Sequence, residues 1–118
     1  MQTPFDVTLR WCDGQRAVRL SGELSLETAP AMRSLLEIVC ANGATEVELD
    51  LRDVTFIDST GIGVIMMAKK ACAARACGFF LIPSKVPQTV RMWEVSGLQD
   101  RLSWREGPSP SPSSTSED

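Results

Sequence analysis

A chain of 118 residues, 43% hydrophobic and 23% charged, is enough for one compact domain with a sizeable core, and it excludes wholesale disorder. Twelve Lys and Arg against fifteen Asp and Glu leave a net charge of −3, which argues against a general nucleic-acid or anionic-membrane binder. The lack of histidine excludes His-activated nucleophiles, His general bases and His-containing metal sites.

In chain order, residues 4–11 alternate apolar and polar side chains, as a half-buried strand does, and Asp13-Gly14 marks a hairpin turn. Ala17-Val18-Arg19-Leu20-Ser21 alternates again and pairs with the first strand. A helix follows, with Thr28 as N-cap and Pro30 in its first turn; Met32, Leu35, Leu36 and Val39 make one apolar face, and Asn42-Gly43 closes it. Val47, Leu49 and Leu51 alternate with Glu46, Glu48 and Asp50 in the clearest strand, which continues through Val54-Thr55-Phe56-Ile57 to Asp58. The second helix runs from there to about Ala76 and is apolar nearly all round from Ile62 to Ala68; Lys69, Lys70 and Arg75 complement its dipole.

Gly78 ends that helix, and Phe79-Phe80-Leu81-Ile82 reads as an interior strand. Ser84 caps a third helix with Pro87 in its first turn, Val86, Val90 and Trp93 on its inner face, and Gly97-Leu98 at its stop. A last strand lies near Leu102-Ser103-Trp104, with Trp93 and Trp104 as core anchors. The order β-β-α-β-α-β-α-β predicts a single α/β domain over residues 1–106, with a mixed β-sheet and helices mainly on one face. Residues 107–118, rich in Pro and Ser, predict a disordered tail.

No pair among Cys12, Cys40, Cys72 and Cys77 has Cys-x-x-Cys spacing, so neither a metal nor a cofactor is expected. Cys40 and Cys72 read as small core residues. The start Met1-Gln2-Thr3-Pro4-Phe5-Asp6 shows no secretory signal, and no apolar run approaches the roughly 20 residues of a membrane span. A cytoplasmic protein with reduced thiols and no membrane insertion is the expectation.

Asp58-Ser59-Thr60-Gly61-Ile62-Gly63 admits several chemistries. It is a helix start with Ser or Asp as N-cap, but two glycines in the first turns, each costing roughly 1 kcal/mol against alanine, call for a close approach to backbone. A nucleophilic Ser59 lacks the glycine two residues earlier, where Ile57 stands, and has no histidine; Lys69 and Lys70 are roughly three helical turns away. An aspartic-protease loop is one residue shorter, and a phosphate-binding Gly-x-Gly-x-x-Gly fails at Met66. The remaining reading makes Ser59 a substrate: a phosphate of about −1.5 to −2 charge at a helix N-terminus, received by free N–H groups and repelling an acidic partner face.

The run from Leu49 to Val64, with its Asp58-Ser59-Thr60-Gly61-Ile62-Gly63 centre, closely resembles the signature of STAS-domain anti-sigma factor antagonists, with supporting matches at Leu20-Ser21-Gly22-Glu23-Leu24 and Val95-Ser96-Gly97-Leu98. The resemblance implies a cytosolic partner-switching protein of transcription regulation that catalyses nothing. Its unphosphorylated form would bind an anti-sigma factor serine kinase and release the sigma factor. Phosphorylation of Ser59 would end the complex until a serine phosphatase restores it. Asp58, Thr60, Gly61, Ile62, Gly63, Glu23 and Ser25 would flank the phosphosite and dock the partner, with no direct nucleic-acid contact. The family often has aspartate where this chain has Ser25, and a further helix where it has the Pro/Ser tail. The same fold also serves as a subunit of lipid-transport ATPase complexes and in nucleotide-sensing proteins, which is the alternative.

Overall fold

The computed structural model describes residues 5–41 and 43–107; the expected tail beyond Gly107, and Asn42 of the expected helix stop, lie outside the described residues. Among the described residues the order is β1 (Asp6–Cys12), β2 (Gln15–Leu24), α1 (Ala29–Val39), β3 (Glu46–Ile57), α2 (Ser59–Ala74), β4 (Gly78–Ile82), α3 (Pro87–Ser96), a 3-10 turn Gln99–Arg101, and β5 (Ser103–Trp104). The sheet runs β1-β2-β3-β4-β5, antiparallel between β1 and β2 and parallel elsewhere. This is the mixed sheet that the alternation of strand and helix patterns predicts.

Register sorts the side chains between two faces. Val18, Leu49 and Leu81 are Cα partners across three strands, and all three are fully buried beneath the helices. Val47 and Phe79 pair beside them on the same face. Two irregularities between β2 and β3 move the buried set of β3 from Leu49 and Leu51 to Val54 and Ile57, which keeps Leu24 and Ile57 partnered in the core at the end that leads into α2. At roughly 1.5–3 kcal/mol for each fully buried aliphatic side chain, this shared layer holds the helices to the sheet.

The opposite face is charged and ion-paired. Arg105 bonds Glu46 at 3.1 Å and Glu48 at 2.9 Å and lies over the Phe80 ring at 3.6 Å; Arg52 bonds Asp50 at 2.7 Å. Burial raises the pKa of Asp50, but the Arg52 side chain and backbone N–H and the nearby Arg19 outweigh it and hold the carboxyl below its ordinary value.

Several local expectations are corrected. β1 is an edge strand on which only Val7 packs partly against the core, while Leu9 and Trp11 are 40% and 46% exposed. Thr28 occupies the N-cap position of α1, but its hydroxyl donates to the Glu23 carbonyl and accepts from the Ser25 N–H, so it closes the β2–α1 turn instead of capping. The C-terminal end of α1 is served from β2: buried Arg16 donates to the Val39 carbonyl at 2.8 Å and to the Ala41 carbonyl. α2 ends at Ala74 with Ala76 at positive φ, and Gly78 is already the first residue of β4.

Ser84 does not cap α3. Its hydroxyl donates to the Val54 carbonyl at 2.8 Å and accepts from the Val86 N–H, and Val86 is the N-cap. The inner face of α3 is Thr89 and Trp93, one step around from Val90, which is exposed. Gly97 stops the helix in the left-handed conformation, φ 71°, as expected. Trp93 and Trp104 meet edge to face at 5.2 Å.

Candidate functional site

The site is built where β3 passes into α2. Asp58 leaves the strand with extended backbone, φ −116° and ψ −177°, and its Oδ1 accepts from the N–H of Thr60 at 2.9 Å and of Gly61 at 3.0 Å. Its Oδ2 accepts from the Leu26 N–H at 3.2 Å, and its own N–H donates to the Leu24 carbonyl at 3.1 Å. One aspartate thus caps the 16-residue α2 and ties it to the β2–α1 turn. The N-cap is Asp58, and Ser59 takes the first helical position with an exposed side chain.

This arrangement corrects one sequence expectation. Two of the N–H groups that a phosphate on Ser59 would find at the helix start are occupied by the Asp58 carboxylate. Charge added at Ser59 stands beside an existing carboxylate and finds those two N–H groups already taken.

The two glycines have different reasons. A Cβ at Gly61 would collide with the Leu24 carbonyl oxygen and stand 3.0 Å from Ile57 Cγ1, so Gly61 lets α2 lie directly against the end of β2. A Cβ at Gly63 would meet nothing within 4 Å. Internal packing does not require that glycine.

On the helix, Ser59, Gly63, Met67 and Lys70 follow one another along one exposed stripe, with Met67 55% exposed. Met66 instead packs partly against the core, which separates two methionines that the sequence leaves equivalent. Ile62 is 3% exposed and belongs to the core, so it anchors α2 and presents nothing to solvent. Thr60 and Ser25 are half-buried. Ser25 reaches the site through its turn, its carbonyl accepting from the Thr28 and Ala29 N–H groups while neighbouring Leu26 bonds Asp58. Glu23, half-buried on β2 beside Phe56, bonds Thr28 through its carbonyl.

Two contributors are not evident from sequence. Gln88 of α3 clamps the last residue of β3, accepting from the Ile57 N–H at 2.9 Å and donating to its carbonyl at 2.8 Å, which fixes the strand end immediately before Asp58. A polar residue in the first turn of a helix carries no signal for such a role. Leu26 is 71% exposed beside the capped end of α2. Leu20 and Leu24 are buried on β2, but Leu26 lies past the strand end in the turn before α1, where the strand period says nothing of its exposure.

Asp58→Ala is expected to remove about 1–2 kcal/mol of stability, the usual cost of losing an acidic N-cap. Urea unfolding checks this. Asp58→Asn should retain most of the stability, because its side-chain oxygen accepts the same bonds.

The STAS domain family described as "Mlab, STAS domain" matches residues 7–103. An anti-sigma-B factor antagonist of Listeria monocytogenes is 31% identical over 81 residues, 69% of this chain and 70% of that protein. An anti-sigma factor antagonist from Mycobacterium paratuberculosis superposes with a TM-score of 0.78 at 23% identity, covering 97% of this chain and 94% of the other. The Bacillus cell fate determinant SpoIIAA in its phosphorylated form gives a TM-score of 0.64 at 23% identity, covering 85% and 91%. No described helix is long and apolar enough to cross a membrane. With a family match over most of its length, an antagonist relative above 30% identity and the same fold in solved antagonists, the chain belongs to the STAS-domain anti-sigma factor antagonist family.

Proposed function

We propose that this chain is a partner-switching anti-sigma factor antagonist of the cytoplasm, a regulatory binding module and not an enzyme. Unphosphorylated, it binds an anti-sigma factor that is a serine kinase and so releases the sigma factor. The kinase phosphorylates Ser59 and the complex dissociates, and a serine phosphatase resets it. The observation that carries this reading is the exposed Ser59 hydroxyl at the first position of α2, next to an Asp58 carboxylate that already holds the adjacent N–H groups. Charge added there stays on the surface that Gly63, Met67 and Leu26 leave open. The naming of relatives as anti-sigma-B factor antagonists and the phosphorylated form of Bacillus SpoIIAA support it.

Incubation with ATP and an anti-sigma serine kinase of the source organism, followed by mass-spectrometric mapping, tests the acceptor. Phosphate is expected on Ser59 alone and is expected to vanish in Ser59→Ala. Unchanged incorporation in that variant overturns the assignment. Co-purification from lysate with a transporter ATPase, in place of a kinase, would support the alternative lipid-transport role.

A further inference from the structure

The two edges of the sheet are unequal. β5 has two residues, whereas β1 has seven and pairs on one side only, with β2. An edge of that length is ordinarily blunted by proline, lysine or a bulge. β1 contains neither residue, and its register with β2 runs from Asp6↔Ser21 to Cys12↔Gln15 without a shift.

Pairing with β2 also fixes which backbone groups stay open. Cys12 and Gln15 close the Asp13-Gly14 turn as a hydrogen-bonded pair, and such pairs alternate with non-hydrogen-bonded ones along an antiparallel ladder. Asp6, Thr8, Arg10 and Cys12 therefore direct their N–H and C=O groups to β2, while Val7, Leu9 and Trp11 direct theirs away from the sheet. The side chains of Val7, Leu9 and Trp11 stand on the helix side, opposite buried Leu20, Val18 and Arg16, and those of Leu9 and Trp11 are exposed there. Asp6, Thr8 and Arg10 are exposed on the other face, and neither Asp6 nor Arg10 has an ion pair among the described residues.

We propose that β1 pairs antiparallel with β1 of a second copy about a two-fold axis at Thr8, joining the two sheets edge to edge into a symmetric dimer. Open backbone groups meet only where odd-numbered positions face odd-numbered positions, so the axis passes through a residue and not between two. An axis at Arg10 sets like charges against each other, and one at Leu9 sets Asp6 against the partner's Cys12. The axis at Thr8 sets Asp6 directly opposite the partner's Arg10, and Arg10 opposite the partner's Asp6. It also sets Val7 opposite the partner's Leu9 and Leu9 opposite the partner's Val7, each pair exchanging both backbone bonds on the open edge. Thr8 then faces its own copy, a favourable cross-strand pair. A strand that complements its own reverse in charge, in apolar contact and in open backbone groups specifies a second copy of the chain as its occupant.

Sedimentation equilibrium of the full chain should approach twice its 12.9 kDa as concentration rises. Asp6→Arg places like charges at both ends of the pairing and should raise the dimer dissociation constant by roughly tenfold or more. Asp6→Arg combined with Arg10→Asp restores opposite charges and should return the constant to within a few-fold of wild type, a rescue that a purely structural effect does not give. Cross-linking reads the axis itself. Thr8 and the partner's Thr8 form a non-hydrogen-bonded pair with Cα atoms about 4.5 Å apart, within disulfide range. In a Cys12→Ser background the remaining thiols are buried, so Thr8→Cys should oxidise to a covalent dimer while Arg10→Cys stays uncross-linked. A monomer at every concentration overturns the proposal. So does a dimer that is indifferent to Asp6→Arg, that the double charge reversal fails to restore, or that Arg10→Cys traps and Thr8→Cys does not.

Discussion

Gly61→Ala is expected to destabilise the protein by roughly 1–3 kcal/mol, the usual range for forcing a group into a packed interior. The sign is informative because glycine to alanine inside a helix ordinarily stabilises by up to about 1 kcal/mol. Here the new methyl meets the Leu24 carbonyl oxygen, and the carbonyl carbon behind it is at 3.0 Å. That carbonyl also accepts the Asp58 N–H at 3.1 Å, and the Leu24 side chain is fully buried, so neither group moves without disturbing the strand end or the cap. The helix start must lift away from β2, which loosens Ile62 and Ile65 in the core beneath.

Gly63→Ala, a few residues further along the same helix, serves as the control. Its methyl enters open space, so its urea midpoint should equal or exceed that of the wild type. Equal midpoints for the two variants would mean that α2 is not seated against Leu24 as described. A lowered partner affinity for Gly63→Ala in an otherwise stable protein would show that an external surface, not the fold, requires that glycine.

This contrast also locates the limit of what the sequence discloses. Periodicity yields the elements and their order, because Val47, Leu49 and Leu51 or Met32, Leu36 and Val39 must each find a core, and they do. The helix start at Asp58-Ser59 is legible for the same reason: a short acceptor followed by small residues has little else to be. Polar side chains with several competing partners are not legible. Ser84 and Thr28 have the chemistry of N-caps, but a strand carbonyl stands within reach of each, Val54 for one and Glu23 for the other, and takes the hydroxyl. Arg16 shares the period of buried Val18 and Leu20 on β2, a core position that its charge argues against in sequence; only the folded chain shows it bonded to the end of α1. Gln88 has the same history at Ile57. The two glycines illustrate the point at the site itself, identical in sequence logic and separated only by what lies above each Cβ direction.

Ser59→Asp is expected to weaken binding to the proposed anti-sigma serine kinase by tenfold or more, about 1.4 kcal/mol or above, while leaving the fold nearly as stable as before. The stability side follows from two small opposing effects. A carboxylate at the first helical position gains about 0.3–1 kcal/mol from the helix dipole, and repulsion from Asp58 across exposed solvent removes a comparable amount. Nothing buried is disturbed, since Ser59 is exposed. The binding side differs because, on the proposed docking surface, a bound partner is expected to exclude water from the stripe of Gly63 and Met67. The Thr60 and Gly61 N–H groups stay committed to Asp58, so neither is available to the new charge. A desolvated or like-charge contact at an interface costs several kcal/mol, more than any rim contact recovers. Ser59→Asn separates charge from size, and calorimetric titration should find its affinity within a few-fold of the wild type. If the Asp and Asn variants bind equally well, the switch does not act through charge; if both bind poorly, the serine hydroxyl itself is a contact. The phosphate, at about −1.5 to −2 charge, is expected to exceed the aspartate effect, and the ordering of phosphoserine, aspartate, asparagine and serine by affinity measures how much of the switch is electrostatic.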